Sequence, residues 1–170
     1  MISNYDLQEL GTFFHIPVIV CMKDELKFSK PSPISNFVIN LESSSQGNGS
    51  HWLALCIRNK DCSYFDSYGM LPPEEIIAFC KKIRGSHLSY NTKEIQSMTS
   101  ITCGLYCFAF IFYLNYKFKK NVDNIYTKSS FFSDLFSNDT NINNNILKNF
   151  YKKMPLSKNL ILLDKLYSQK

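Results

Sequence analysis

Ten consecutive residues, Leu105 to Leu114, carry no charge and no strongly polar side chain. The run is too short for the ~18 to 20 residues that a bilayer span needs, so it reads as a buried core segment. With Cys103-Gly104 before it and Lys117, Lys119 and Lys120 behind it, it predicts a helix from about Cys103 to Lys120. The helix is apolar all round for three turns, and its terminal lysines complement the dipole. A helix without a solvent face must be covered by the rest of the chain. The chain has 170 residues, 45% hydrophobic, 15% aromatic and 19% charged, which suits one globular domain and argues against a disordered or membrane protein.

The remaining segments supply the cover. Ser3 with Asp6 three residues on has the form of a capping box, and Leu7, Leu10 and Phe13 follow at helical spacing. Pro17 to Cys21 reads as extended. Beyond the breaker Lys30-Pro-Ser-Pro33, the stretch Asn36 to Leu41 has strand composition. Ser43 to Ser50 is a polar, glycine-bearing loop, and His51 to Ile57 leaves it as a buried strand. A turn at Asn59-Lys60-Asp61 returns the chain through Cys62 to Asp66, predicting an antiparallel hairpin over 51–66. Pro72-Pro73 opens a helix with Glu74 and Glu75 in its first turn and Lys81, Lys82 and Arg84 in its last, stopped by Gly85. His87 to Asn91 is a further short strand. Two or three amphipathic helices are expected beyond Asn121, separated by the Asn-rich stretch Asn138 to Asn145, a surface loop or helix start, and by Pro155. The fold class is α+β: a small mixed β-sheet flanked by helices.

Charge is distributed unevenly. Up to Asp66 there are 5 Lys/Arg against 7 Asp/Glu, a net −2; from Ser67 onward there are 14 against 7, a net +7. The basic half fits either an anionic partner or a solvated Lys-rich face. The six cysteines form no CxxC pair and the three histidines complete no zinc-ligand spacing, so no structural metal is expected. The segment Met1 to Asp6 lacks the basic and apolar regions of a signal peptide, so free thiols in a reducing compartment are expected.

One group of residues stands apart from core filling. His51 begins one hairpin strand and Asp66 ends the other, so antiparallel pairing makes them neighbours. A carboxylate there orients the imidazole and favours its protonated form. Cys103 stands at the start of the buried helix, where free backbone N–H groups and the dipole favour thiolate, the nucleophilic form. The Cys103 N–H can donate to a developing oxyanion, and Gln96 on the approach loop can supply a second donor. Gly104 leaves room for a substrate backbone. Together these residues outline acyl transfer by a Cys/His/Asp triad. Trp52 has two readings, a wall of the substrate cleft or a cap on the core. Cys107, one turn after Cys103, reads as a resolving thiol or as packing; Cys21, Cys56, Cys62 and Cys80 read as packing.

The pattern Gly49-Ser-His-Trp52, then Tyr64-Phe-Asp-Ser-Tyr-Gly69, then Gln96, then Cys103-Gly-Leu-Tyr-Cys107 resembles the adenovirus maturation protease (adenain) family of the Ulp/SENP clan, with relatives in virophages and large DNA viruses. Its order separates it from papain-type chains, where Cys precedes His. The resemblance covers about residues 35–116 and implies an adenain/Ulp-like cysteine protease fold in a single protease domain over 1–170, with a catalytic core at about 35–120 and a C-terminal helical part at about 121–170. It implies Cys103 as nucleophile, His51 as general base and acid, Asp66 as orienting carboxylate and Gln96 as an oxyanion-hole donor; the Cys103 N–H as its companion donor, and Trp52 and Gly104 against substrate, come from the residues themselves. Adenovirus enzymes carry Glu where this chain has Asp66, a variant found elsewhere in the clan.

The implied activity is thiol endopeptidase cleavage of viral capsid and core precursors at Gly-containing sites, in the virion and in host-cell cytoplasm or virus factories. No cofactor is required by that chemistry, and no membrane partner is expected. Adenain is stimulated by DNA and by a disulfide-forming peptide. This chain has no cysteine between Cys80 and Cys103 to receive such a peptide, while its basic downstream half leaves DNA as a candidate activator and partner. Two other readings stay open: a deSUMOylase- or deubiquitinase-like isopeptidase, and a non-catalytic DNA-binding module on a decayed protease fold.

Overall fold

The computed structural model describes residues 2–47, 49–118 and 131–154. The helices expected over 121–130 and after Pro155, with Lys119 and Lys120, lie outside the described residues.

Helix α1 (Asn4–Phe13) starts at the expected capping box: Ser3 Oγ accepts from the Asp6 N–H at 3.2 Å, and Asp6 Oδ2 accepts from the Ser3 N–H at 2.9 Å. Strand β1 (Ile19–Met22) runs into a 3₁₀ helix (Lys23–Phe28) that local pattern did not predict; it contributes one buried residue, Leu26. Strand β2 (Ile34–Asn40) begins directly after Pro33, two residues before its expected start. The hairpin forms from β3 (Trp52–Arg58) and β4 (Asp61–Phe65), turning through Asn59, whose φ of +57° suits a short polar side chain. Helix α2 (Glu74–Lys81) and strand β5 (His87–Tyr90) follow. The long apolar segment is α3 (Cys103–Phe118). A helical turn at 131–134 precedes α4 (Thr140–Lys152), capped by Asp139. The Asn-rich stretch is therefore a helix start.

The sheet is mixed, in the order β1-β2-β3-β4-β5. Its outer pairs β1/β2 and β4/β5 are parallel, and its inner pairs β2/β3 and β3/β4 are antiparallel. Every residue of β3 is buried. Alternation decides which face each serves. Ala54 and Cys56 meet α1, α3 and α4 in a core with Leu7, Leu10, Phe108 and Phe110. Leu53, Leu55 and Ile57 meet α2 and the 3₁₀ helix in a second core with Leu26, Ile76 and Phe79. A central strand covered on both faces reads as a continuous apolar run, which is what residues 52–57 are.

Helix α3 is buried because both the sheet and α4 lie on it. Phe65 stacks on Phe110 at 4.9 Å between centroids, and Phe132 meets Phe110 edge-on at 5.6 Å. The α3 N-terminus is thereby held against the open end of the hairpin.

Candidate active site

Ala54 opposite Phe65 is the last pair of the β3/β4 ladder. His51 lies three residues before that pair and Asp66 one residue after it, so both stand where the hairpin opens. His51 Nε2 and Asp66 Oδ1 are 2.8 Å apart. Asp66 is 1% exposed and His51 8%, so solvent screens the pair little. One further contact holds the carboxylate and two hold its backbone. The Tyr68 N–H donates to Oδ1 at 2.8 Å, and Asn91 clamps the Asp66 backbone by accepting from its N–H at 3.0 Å and donating to its C=O at 2.6 Å. Asn91, read from sequence only as a strand end, thus holds the acid in place; a polar residue closing a strand beside Asp66 was the available signal.

With Nε2 committed to Asp66, the His51 imidazole also lies close enough to the Cys103 side chain for the two to interact. Burial pulls the imidazole down, but the hydrogen bond to Asp66 and interaction with the Cys103 side chain carry His51 up to about 9. The histidine is therefore positively charged at neutral pH. Cys103 itself is the first residue of α3 and 2% exposed. The first bonds of that helix run from the Leu105 and Tyr106 N–H groups to Thr102 O. The N–H groups of Cys103 and Gly104 have no acceptor among the described residues, as expected where a helix begins. All three members of the expected triad thus come together.

The other expected site residues fare differently. Gln96 is adjacent, held by its own N–H on Ser67 O at 3.0 Å, but it is 0% exposed. Its Nε2 donates to Tyr68 Oη at 3.2 Å and to Ser100 O at 2.8 Å, and its Oε1 accepts from Ser67 Oγ at 2.7 Å. Both amide hydrogens expected to face a substrate are engaged inside the protein. Gly104 also departs from expectation. A Cβ on it would project into space held by the Ile2 side chain and come within 3.1 Å of Trp52 Cδ1. The room that sequence reasoning gave to a substrate backbone on this side is filled by the chain's own N-terminal segment.

Of the two readings of Trp52, the structure shows the cap on the core. Trp52 is 6% exposed and donates its indole N–H to Ile2 O at 3.1 Å, capping the core. It also lines a groove of about 740 Å³ with Ser3, Val20, Met22 and Gly49. Cys107 is fully buried, donates to Trp52 O at 3.1 Å, and has its thiol pushed well up, first by burial and then by nearby negative charge. It is packing. Burial likewise pushes Cys56 up to about 12, and all six cysteines are free thiols.

The loop carrying Gln96 to Cys103 is braced from α4. Buried Asn143 donates to Ile95 O and Ser137 O, both at 2.9 Å, and Asn144 Oδ1 accepts from Thr102 Oγ1 at 2.9 Å and Tyr106 Oη at 3.2 Å. Among the described residues no group of three or more His, Cys, Asp or Glu forms a metal-holding cluster.

No family model matches the chain. No curated protein matches it either. Solved structures do. The ASFV pS273R protease superposes with a TM-score of 0.51 at 16% identity, covering 81% of this chain and 67% of that one. Its Se-Met form gives 0.53 at 17%, covering 86% of this chain and 66% of that one. An AvrA deletion variant with IP6 and CoA gives 0.52 at 15%, covering 88% of this chain and 72% of that one. This chain thus spans about two thirds of the ASFV protease. The shared architecture is the mixed α+β fold of Ulp/SENP-like cysteine proteases.

Proposed function

We propose that this chain is a cysteine endopeptidase that cleaves the capsid and core precursor proteins of a DNA virus at glycine-containing sites. The single observation carrying the reading is the His51–Asp66 pair at 2.8 Å, with Cys103 beside the same imidazole at the start of α3. The ASFV neighbour, itself a protease, and the resemblance of the motifs to adenain support the viral setting. The virion and the host cytoplasm or virus factory are the places where such precursors are met. DNA, taken up by the basic downstream half, is the partner proposed to stimulate it.

The Cys103 thiolate attacks the carbonyl carbon of the scissile bond, forming a C–S bond as the carbonyl π pair moves onto oxygen. Protonated His51 delivers its proton to the leaving amine as the C–N bond breaks. Neutral His51 then takes a proton from water, whose oxygen attacks the thioester and returns Cys103. Asp66 keeps the imidazole oriented through both halves and remains ionised.

The test is incubation of the purified chain with candidate capsid and core precursors, with and without DNA, reading cleavage sites by mass spectrometry. Wild type is expected to cut beside glycine and Cys103→Ala to show no turnover with the fold retained by circular dichroism. Undiminished cleavage by Cys103→Ala would sink the assignment. Cleavage confined to a ubiquitin-like conjugate supplied in parallel would move the chain to the isopeptidases.

A further inference from the structure

The groove of about 740 Å³ beside Trp52 is built wholly from the acidic half of the chain, and among the described residues that line it Glu25 alone carries a charge. The two lysines nearest to Glu25 in sequence turn elsewhere: Lys23 Nζ lies 3.4 Å from Glu75 Oε1, and Lys27 Nζ sits over the Phe28 ring, 4.9 Å from its centroid. Asp24 adds to the negative field, its carboxylate held by the Ser44 N–H at 2.9 Å and the Ser44 hydroxyl at 2.8 Å. The field reaches into the groove. Burial first, then the charges of Glu25 and Asp24, push the lining Cys21 thiol up to about 12. The groove also adjoins the nucleophile through Trp52, whose Cδ1 lies 3.1 Å from the place a Cβ on Gly104 would take, next to Cys103. From Trp52 a row of cross-strand neighbours runs over the sheet, Trp52 opposite Asn40 and Asn40 opposite Met22. Two strand spacings of about 4.8 Å put Met22 about 10 Å from Trp52. Glu25 Oε2 is fixed at the far end of that row, accepting the Met22 N–H at 2.7 Å.

We infer that Glu25 is a specificity-determining residue that pairs with a lysine or arginine side chain of the substrate, about three to five residues from the scissile bond, as the substrate main chain passes from Cys103 over Trp52 towards β1. The inference rests on the cysteine-endopeptidase reading of the site. The spacing follows from the row across the sheet: an extended chain advances about 3.3 Å per residue, so it covers the span from Trp52 to Met22 in about three residues. A carboxylate that accepts one backbone hydrogen has acceptor capacity left for a cation. The bond to the Met22 N–H already holds Glu25 in place, so little side-chain freedom is lost on pairing. A lone charge in an otherwise uncharged groove discriminates by sign, favouring a cation and rejecting an anion at the same position.

The test uses the full chain and glycine-containing peptides in which lysine, glutamine or glutamate is placed in turn at each position flanking the glycine. At one position in the stated range, kcat/KM is expected to be about three- to fivefold higher for lysine than for glutamine, the effect of one solvent-exposed ion pair, and lower again for glutamate. The difference should lie in KM and not in kcat, and it should shrink towards parity in about 1 M salt, where the screening length falls to about 3 Å. Glu25→Gln keeps an oxygen for the Met22 N–H and should erase the preference; Glu25→Lys should turn it towards glutamate. Binding of the same peptides to Cys103→Ala, read by the fluorescence of Trp52, should follow the same order without turnover. Equal kcat/KM for lysine and glutamate at every position would overturn the inference while leaving the triad standing, as would a lysine preference that survives in Glu25→Gln. Charge-ordered binding with no cleavage by wild type would uphold the role of Glu25 in the groove and end the endopeptidase reading. Neither binding nor cleavage would sink both.

Discussion

His51 is the residue on which the site's electrostatics turn. Its ordinary value of 6.5 is raised to about 9 against the opposing pull of burial. A group raised on folding contributes stability that is fully present below its unfolded value and lost as pH climbs through its folded one. The contribution is therefore complete below 6.5 and lost on passing through about 9, roughly 3 kcal/mol at ~1.4 kcal/mol per unit. Denaturant melts at pH 6, 8 and 9.5 should show the decline, and Asp66→Asn should flatten it. The same substitution should lower kcat and bring the alkaline limb of the pH–rate profile down from near 9, because the amide holds the ring without stabilising its charge. An unmoved limb would show that Asp66 does not set the imidazole.

At the scale of elements, the site is a junction of three: the open end of the β3/β4 hairpin, the N-terminus of α3, and the loop between β5 and α3 that α4 braces. Gly104 lets the first two meet. An alanine there gains helix propensity of about 0.5–1 kcal/mol but drives its methyl into Ile2 and against Trp52, an overpacking worth about 1–3 kcal/mol. The clash wins by a small margin if Ile2 yields. Trp52 is the single tryptophan, so Gly104→Ala should red-shift the emission as Ile2 is displaced; an unshifted spectrum would contradict the packing described. The brace has its own test. Asn143→Ala leaves Ile95 O, Ser137 O and the Ser137 N–H without partners, which should cost about 2–3 kcal/mol. Because Ile95 neighbours Gln96, peptidase activity should fall further than the folded fraction does.

For the whole molecule, the sheet joins two cores, one under α1, α3 and α4 and one under α2 and the 3₁₀ helix, with β3 contributing alternate side chains to each. Cooperativity follows from that sharing. Phe79→Ala, in the second core against Phe37 at 5.4 Å, should destabilise by about 3–5 kcal/mol. It should shift the transitions seen by far-UV circular dichroism and by Trp52 fluorescence together, although Trp52 lies in the other core; separated transitions would mean independent halves. The fold by itself does not choose the reaction. What argues for peptide-bond cleavage is the His51–Asp66 pair at one end of the sheet, with Cys103 beside it.

Local pattern carries its information through the spacing of side chains along the chain, and that much was determined by the sequence. The capping box at Ser3, the hairpin through Asn59, the apolar α3 with its terminal Cys103, and hence the meeting of His51 and Asp66, all follow from periods of two and 3.6 residues and from turn chemistry. The 3₁₀ helix at Lys23–Phe28 did not, being short and anchored by one leucine. Orientation of polar side chains belongs to tertiary structure. Gln96 turns inward because Ser67, Tyr68 and Ser100 converge on it, Gly104 faces Ile2 from about a hundred residues away, and an Asn-rich stretch becomes a brace because the carbonyl of buried Ile95 and the hydroxyl of half-buried Thr102 need partners. Each of those outcomes satisfies a hydrogen bond or fills a space that exists only after distant segments have packed, so no local spacing could announce it.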